Sequence, residues 1–458
     1  MSPVTGDVLW VRSPKVQDQA EIGQLPSRQS ENLTLPILST APESVSVISS
    51  LTAQLAVQRQ APRVVKLELI LTEACNLGCS YCFEYDADHQ KNMSSSTAIE
   101  AVDFLFEASR TSPWVGITFM GGEPMLQFDL IREVIGYAQC TAKRKNKTVT
   151  FDMQTNGVLI KEEHAQFFRD TGLRYCLSLD GAQLTNDRYR KTLGGSGTFQ
   201  IVAAKMKMLK RYQHWQGARM TIMPSDAAKL GNNIRRLHED LAINQFVIGF
   251  ATHINWQEEQ IADYAHGLKE AFDYFVEQRV EQKSRRLRIS LFELGQLEDS
   301  YATESEGAWG CGAGSGRLAV SADGVFHGCS KLAWGVKGGS KEAPLPLGSV
   351  GTGMSQPNNR LKLLNHTSDP RVKCHSCEIK AYCQGGCYAA NIADTGNMFV
   401  PADYFCKLMF AQKHAADYAR QRLEELGLSN LFWKTDIPDL QNPRDPLTEE
   451  PAHGLQHV

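Results

Sequence analysis

The feature that most constrains the fold is an alternation of strand-like and helix-like segments in the middle of the chain. Strand patterns, rich in apolar and β-branched residues, recur at residues 64–71, 115–120, 148–154, 173–179, 218–223 and 246–251. Helical patterns separate and follow them at residues 95–109, 128–142, 161–170, 199–212, 227–241 and 258–282. This alternation predicts βα units and a parallel sheet. The six strands either close partly into a barrel or form an open, doubly wound sheet.

The chemically unusual stretches follow the predicted strands. They are a three-Cys loop at residues 75–82, then Gly121-Gly122-Glu123-Pro124, Thr155-Asn156-Gly157, Ser178-Leu179-Asp180-Gly181 and Met223-Pro224. Ligands of parallel α/β proteins gather at the carboxyl ends of the strands. Turn residues also mark strand ends, but turns explain neither three Cys in one loop nor a Glu between Gly and Pro. We therefore expect the functional site at this rim.

Composition excludes several classes of partner. A net charge of -3 gives no electrostatic reason to expect nucleic acid or an anionic membrane as a partner. No apolar run approaches the roughly 18 residues that a membrane span needs. The first residues lack a basic stretch followed by an apolar core, so no secretory signal is visible. We expect a cytoplasmic protein.

The length of 458 residues favours two or three domains. We expect a βα domain at residues 64–295 and a Cys-rich region at 296–430. A charged, Pro-rich tail follows at 431–458. Residues 1–63 have few regular elements, which favours an arm packed on the main domain over a small module that captures a peptide. Within the Cys-rich region we expect a hairpin around Asp323-Gly324, with strands at 318–320 and 325–327, and a final helix over 407–426.

The chain holds 12 Cys, a number that in a reducing compartment points to metal or cluster ligation rather than disulfides. Two groups contain ten of them. The first group is Cys75, Cys79 and Cys82, and the second is Cys311, Cys329, Cys374, Cys377, Cys383, Cys387 and Cys406. Cys140 and Cys176 stand apart, and we expect both to be small structural residues.

The three Cys of residues 75–82 suit an iron–sulfur cluster. Spacings of three and two residues do not match the paired CxxC units of a zinc ribbon. A [4Fe-4S] cube normally takes four Cys ligands, so three ligands would leave one iron open to bind a reactive molecule. A zinc site or a chance grouping is the alternative.

Cys75-x3-Cys79-x2-Cys82, with the aromatic Tyr81 before the last Cys, resembles the radical S-adenosylmethionine (radical SAM) family. Residues 121–124 resemble the GGEP motif of that family, and the resemblance extends over roughly residues 64–290. It implies an α/β fold, a partial (β/α)6 TIM-like barrel, with SAM bound to the open iron of a 4Fe-4S cluster. It also implies cleavage of SAM to methionine and a 5′-deoxyadenosyl radical that abstracts hydrogen from a substrate.

The resemblance also implies the SAM contacts. The methionine amino group would meet the stretch Gly121, Gly122, Glu123 and Pro124. Tyr81 would contact the adenine. Ser178 and Arg190 would hold the carboxylate, and Thr155 and Asn156 would lie near the ribose.

The second Cys group resembles the seven-Cys SPASM extension, a small, irregular C-terminal domain that carries two auxiliary 4Fe-4S clusters. The resemblance assigns Cys311, Cys329 and Cys387 to the first cluster. It assigns Cys374, Cys377, Cys383 and Cys406 to the second. Two full cubes need about eight ligands, so one auxiliary iron is open or held by another group. A pair of structural zinc sites is the alternative.

Enzymes with this extension modify peptides or proteins. The sequence favours maturases that form thioether or carbon–carbon crosslinks, including the kind that acts on quinohemoprotein subunits. Sulfatase maturases, which oxidise Cys or Ser to formylglycine, are the alternative. They carry an Asp after the second Cys of the extension, where this chain has Ser330, and an eighth Cys, absent around Ser305. An iron–sulfur electron carrier without catalysis is a third hypothesis.

A two-electron oxidation also needs a proton acceptor. Asp403 and Asp394 are the candidates, although a role as a loop or capping residue is the commoner one for each. His253 and His327 stand alone in the sequence and receive no role. The expected partners are a peptide or protein substrate and an electron donor such as flavodoxin or ferredoxin.

Overall fold

A computed structural model describes residues 63–82, 91–213, 216–278, 287–289, 313–334, 345–364, 372–383 and 385–427. The chain divides into two units, and all of these residues belong to the second, Arg63–Val458. The predictions for the N-terminal arm, the C-terminal tail, Ser305 and Cys311 concern residues outside the described ranges.

The six predicted strands are confirmed. They are β1 (Lys66–Ile70), β2 (Trp114–Met120), β3 (Thr148–Thr155), β4 (Leu173–Ser178), β5 (Gly217–Ile222) and β6 (Gln245–Phe250), followed by β7 (Arg288–Ile289), β8 (Arg317–Val320), β9 (Val325–His327) and β10 (Gly348–Ser349). They form one sheet in the order β10-β9-β8-β1-β2-β3-β4-β5-β6-β7. Every pair from β8 through β1 to β7 is parallel. The fold is therefore mixed α/β with the parallel central sheet of a partial barrel.

The helices run between and after these strands. They are α1 (Ser95–Ala108), α2 (Phe128–Arg144), α3 (Glu162–Thr171), α4 (Gln183–Tyr189), α5 (Phe199–Ala203), α6 (Met206–Tyr212), α7 (Leu230–Leu241), α8 (Glu258–Val276), α9 (Ser330–Ala333), α10 (Pro357–Leu364), α11 (Val372–His375), α12 (Lys380–Cys383), α13 (Tyr388–Thr395) and α14 (Asp403–Glu425). Short 3₁₀ helices cover Pro124–Gln127 and Pro224–Lys229. Among the described helices, none is long and apolar enough to cross a membrane.

Two helix predictions need correction. The helix expected over 199–212 is interrupted at Ala204 and Lys205, where the Lys205 ammonium donates to the carbonyl of Val158 in the loop after β3. The final helix begins at Asp403, before the expected residue 407, which places Cys406 in its first turn. An acidic residue at this position stabilises the positive end of the helix dipole. The short helix α4 was not predicted.

The two faces of the sheet differ in polarity. Leu67, Leu69, Ile117 and Phe119 are fully buried in the apolar core that the helices share with the sheet. Several of the alternate positions, which face the other side of the sheet because side chains alternate along a strand, are polar. Glu68 of β1 and Thr118 of β2 are neighbours on this face, as are Ser178 of β4 and Arg219 of β5. Asp152 and Arg174 form an ion pair, with the carboxylate oxygen 2.8 Å from the guanidinium nitrogen.

The predicted hairpin at residues 318–327 is confirmed as β8 and β9, which pair antiparallel. The sequence did not predict where this hairpin lies in the sheet. β8 also pairs in parallel with β1, with Leu67 opposite Leu318. The Cys-rich region therefore extends the barrel sheet. Helix α14 also packs on α8, with the Gln412 amide donating to Tyr264 Oη over 2.8 Å.

Gly121 and Gly122 let the loop after β2 approach the loop after β1. Gly121 has a positive φ of 139°, and a Cβ atom there would lie 2.4 Å from the carbonyl oxygen of Thr72. A Cβ atom at Gly122 would lie 2.4 Å from the carbonyl oxygen of Ala74. Because neither glycine has a Cβ atom, the Gly122 amide can donate to the carbonyl of Thr72 over 2.9 Å, and the Glu123 amide to the carbonyl of Ala74 over 3.0 Å. The sequence of residues 121–122 therefore sets the spacing of the two loops.

We predict that Gly122→Ala destabilises the protein by about 1–3 kcal/mol, because the new methyl group meets backbone that cannot move without breaking these hydrogen bonds. Denaturant unfolding measures the change. Gly136→Ala is the control, since nothing lies within 4 Å of a Cβ atom at this exposed position of α2. It should stabilise by about 0.4–1 kcal/mol. Equal effects of the two substitutions would contradict the close approach of the loops.

Candidate active site

The loop that carries Cys75, Cys79 and Cys82 is anchored to the segment after α4. Gly78 and Ser80 donate from their backbone amides to the carbonyls of Lys191 and Tyr189 over 2.9 and 3.2 Å. The thiols of Cys79 and Cys82 both act electrostatically on that of Cys75. The structure thus brings the three thiols of the loop together at the carboxyl end of β1.

These thiols have the surroundings of cluster ligands. Burial raises the pKa of the Cys75 thiol to about 12, so that a free thiol here stays protonated at neutral pH. The Leu77 amide donates to Cys75 Sγ over 3.4 Å. Burial also raises the pKa of Cys79, and the neighbouring Arg190 opposes this rise. Donors aimed at sulfur stabilise thiolates that are bound to iron, so the loop fits a cluster.

The arrangement of ligand-type side chains does not favour a zinc ion. Over the described residues, no three His, Cys, Asp or Glu side chains converge to hold one metal ion. Tetrahedral zinc requires four ligands about 2.3 Å from one centre, whereas a cube binds each thiolate to a different iron.

Glu123 connects the loops after β2 and β3. Its side chain is 1% exposed and accepts hydrogen bonds from Thr155 Oγ1 over 2.7 Å, from the Asn156 amide over 2.8 Å and from the Met125 amide over 3.0 Å. Asn156 in turn donates from Nδ2 to Asn76 Oδ1 over 2.8 Å. The Cys loop, residues 121–124 and residues 155–156 thus form one hydrogen-bonded network.

Burial raises the pKa of Glu123 from 4.5 to about 7 and outweighs the opposing effect of its hydrogen bonds. A carboxyl group whose folded pKa is raised stabilises the fold most below its unfolded pKa. That contribution is lost as the pH rises through the folded value.

We predict that the free energy of unfolding falls between pH 5 and pH 8 by up to about 3 kcal/mol because of Glu123, from the difference between about 7 and 4.5. Urea unfolding at both pH values measures this fall. Glu123→Gln should remove much of it, whatever its effect on absolute stability. Glu100→Gln, at an exposed position of α1, is the control and should leave the fall intact. A Glu123→Gln protein with the full pH dependence would contradict this account.

Tyr81, Asp180 and Arg190 form a buried cluster beside the Cys loop. Arg190 donates to Asp180 through Nε and Nη2, both over 2.9 Å, and Tyr81 Oη donates to Asp180 Oδ2 over 2.5 Å. The Arg190 guanidinium lies 5.4 Å from the centre of the Tyr81 ring. The predicted SAM contacts Tyr81 and Arg190 are therefore in contact with each other, while their contact with SAM stays a prediction. Ser178 is buried at the end of β4.

Arg219 was missed by the sequence reasoning. It lies beside Ser178 on β5, and its guanidinium passes so close to Gly249 that a Cβ atom there would lie 2.9 Å from Nη2. Burial lowers the pKa of Arg219, and no carboxylate forms an ion pair with it in the described part of the chain. A cation with this setting suits an anionic ligand. The available signal was a charged residue inside an otherwise apolar strand.

Some of the described Cys residues of the C-terminal region lie near one another. Cys374 and Cys406 act electrostatically on Cys383, whose pKa burial raises to about 12. Cys387 acts on the nearby Tyr404. Of the two unassigned Cys, Cys176 is buried as expected, whereas Cys140 is exposed on α2 and is not the buried residue that we expected.

Asp394 lies in a cluster with His253 and Tyr404. Its Oδ1 is 3.1 Å from His253 Nδ1, and Tyr404 Oη donates to its Oδ2. The His253 amide donates to Tyr404 Oη over 3.0 Å. His253 follows β6 with a positive φ of 63°, uncommon for a residue other than Gly. His253 is thus not alone. His327 is buried, and its pKa is lowered to about 4 by burial.

Ser330 occupies the position after Cys329 and is buried. Its backbone amide donates to Glu68 Oε2 of β1 over 2.8 Å. Arg317 Nε lies 3.4 Å from the other carboxylate oxygen of Glu68. The second candidate base, Asp403, lies in the first turn of α14.

Comparison with known proteins supports this site. Residues 69–228 match the Radical SAM superfamily. The uncharacterized protein MJ0907 of Methanocaldococcus jannaschii is 32% identical over 146 residues, which are 32% of this chain and 49% of that protein. The chain thus spans about half the length of that relative.

Two further relatives match over most of their length. The cysteine-type anaerobic sulfatase-maturating enzyme of Clostridium perfringens (strain ATCC 13124) is 22% identical over 366 residues, 77% of this chain and 95% of that enzyme. The solved structure of native anSMEcpe with bound AdoMet and Cp18Cys peptide has a TM-score of 0.64 at 22% identity, over 80% of this chain and 99% of that one. The structural likeness supports the fold of the partial barrel.

Proposed function

Because this chain carries a radical SAM domain at residues 69–228, we propose that it is a radical SAM enzyme that modifies a peptide or protein. The observation that carries this proposal is the hydrogen-bonded network that joins the three-Cys loop to residues 121–124 and 155–156 at one rim of the sheet. The relative in Clostridium perfringens, named as a sulfatase-maturating enzyme, supports a protein or peptide as the substrate.

The residues of the rim have distinct tasks in this proposal. Cys75, Cys79 and Cys82 would hold a 4Fe-4S cluster. With SAM, this cluster would supply the radical chemistry that removes hydrogen from a substrate. Residues 121–124 bind the amino group of SAM. Ser178 and the neighbouring Arg219 bind the carboxylate, because both lie on the polar face of the sheet.

Two auxiliary clusters complete the proposal. Cys374, Cys377, Cys383 and Cys406 hold one, supported by the mutual influence of Cys374, Cys383 and Cys406. Cys329 and Cys387 contribute to the other, with Cys311 as the third ligand. Because α14 packs on α8 and β8 pairs with β1, these clusters belong to the same body as the barrel.

We propose that His253 and Asp394 accept the proton that the oxidation releases. A two-electron oxidation that takes a hydrogen atom and an electron from the substrate also releases one proton; an auxiliary cluster would supply the electron acceptor, and this pair would take the proton. His253 Nδ1 faces Asp394, which leaves Nε2 on the opposite edge of the ring. Such a carboxylate holds the ring in one orientation, as in other His-based acid–base sites. Tyr404 fixes both residues from α14.

The chemistry of the product separates two candidate functions. The position after Cys329 is Ser330 and therefore has no carboxylate side chain. This favours crosslink formation, as a thioether or a carbon–carbon bond. Conversion of a single Cys or Ser to formylglycine is favoured by the sulfatase-maturating relative. We propose crosslinking as the first of the two.

We predict that the anaerobically reconstituted protein, reduced in the presence of SAM, releases 5′-deoxyadenosine, which liquid chromatography with mass spectrometry detects. Cys79→Ala should abolish this release, because the cluster loses one of its three protein ligands. Cys140→Ala, which changes an exposed Cys on α2, is the control and should retain it. An electron carrier without catalysis would release no 5′-deoxyadenosine, and retained release by Cys79→Ala would contradict the proposed site.

We predict that a short Cys-rich or aromatic-rich peptide encoded beside this gene loses two hydrogens and gains a bond between two residues. Tandem mass spectrometry locates that bond. An aldehyde at one Cys or Ser would instead establish formylglycine formation.

His253→Gln should release 5′-deoxyadenosine at a normal rate with at least a tenfold loss of product, as general bases contribute about 10²–10⁴-fold. His266→Gln, at an exposed position of α8, is the control.

A further inference from the structure

The segment around Arg190 lies directly against the Cys loop. Gly78 and Ser80 flank Cys79, and their amides donate to the carbonyls of Lys191 and Tyr189, which flank Arg190. Leu77 and Thr192 form an additional bridge between the two segments. Cys79 and Arg190 thus occupy the centres of two paired stretches of backbone.

The side chain of Arg190 is held in one position. It is 7% exposed, makes two 2.9 Å hydrogen bonds to Asp180 and lies over the ring of Tyr81. Such a forked pair has a fixed geometry. The backbone pairing of Gly78 and Ser80 with Lys191 and Tyr189 places Arg190 directly opposite Cys79.

Asp180 is fixed as firmly as Arg190. Its side chain is 1% exposed, and it also accepts from Tyr81 Oη and, over 2.8 Å, from the Thr221 amide of β5. The backbone pairing thus sets the cation opposite Cys79, whereas the carboxylate is anchored to β5.

We propose that Arg190 and Asp180 set the reduction potential of the cluster held by the three-Cys loop. Reduction adds one negative charge to the cluster. A fixed cation beside a ligand sulfur stabilises this charge and raises the potential, and a fixed carboxylate behind the cation lowers it. Because both groups are buried, bulk water screens their effect little. Arg190 and Asp180 are positioning residues here, and the inference rests on the proposed function only in that the loop binds a cluster.

The ion pair of Arg190 and Asp180 then balances two opposing requirements on the reduction potential of the cluster. A cluster that is too easily reduced has little driving force to cleave SAM, and one that is too hard to reduce receives no electron from its donor. A buried ion pair whose nearer member is the cation moderates the potential without adding net charge to the site. A role for Arg190 in binding the SAM carboxylate alone predicts no effect on the potential when SAM is absent.

The test is a spectroscopic redox titration of the anaerobically reconstituted full-length protein without SAM. The signal of the relevant cluster is the one that Cys79→Ala removes. Arg190→Gln should shift its potential in the negative direction and Asp180→Asn in the positive direction. Arg190→Lys, which keeps the charge and loses the fork, should fall between wild type and Arg190→Gln. The double variant should lie close to wild type, because it removes both charges.

Opposite shifts of Arg190→Gln and Asp180→Asn support the proposal. Shifts of the same sign, or no shift in either variant, overturn it. If Arg190→Gln fails to fold, the answer comes from Asp180→Asn, with its positive shift, and from Arg190→Lys, with a smaller negative shift; no shift in either overturns the proposal. Failure of the proposed function is distinguishable, because in that case Cys79→Ala would leave the iron and sulfide content and every cluster signal unchanged.

Discussion

The candidate site depends on the buried carboxylate of Glu123. Three donors from two loops converge on it, from Thr155, Asn156 and Met125. An unpaired carboxylate in this place would cost several kcal/mol, so the loops after β2 and β3 are ordered together or not at all. Because Asn156 continues to Asn76, the same network fixes the Cys loop. Backbone and polar contacts thus join the three loops of the site.

Around this network, the sheet separates two environments. Its apolar face packs under the helices, and its other face carries Glu68, Asp152, Ser178 and Arg219. The polar face is suited to a charged ligand such as SAM, and the apolar face provides the stability that holds the polar groups in place. The C-terminal region is part of the same arrangement, since β8 extends the sheet beside β1. Helix α14 brings Tyr404 and Cys406 toward the rim that carries His253.

Local patterns in the sequence predicted the elements well, because strands, turns and the Cys spacing are recorded in neighbouring residues. The six barrel strands and the hairpin of β8 and β9 were found in this way. Contacts between distant segments were not. Asp394 and His253 are 141 residues apart, and Ser330 and Glu68 are 262 residues apart. Neither residue type nor spacing indicates such pairs, so His253 received no role and Arg219 was overlooked.

The central claim is that the three-Cys loop holds a cluster with one iron open to SAM. Electron paramagnetic resonance of the reduced, reconstituted protein tests it most directly, with spectra recorded before and after addition of SAM. The account predicts that SAM changes the spectrum of the one cluster that depends on Cys79 and leaves the auxiliary signals in place. A spectrum that SAM does not alter, in protein whose clusters are fully loaded, would contradict the account.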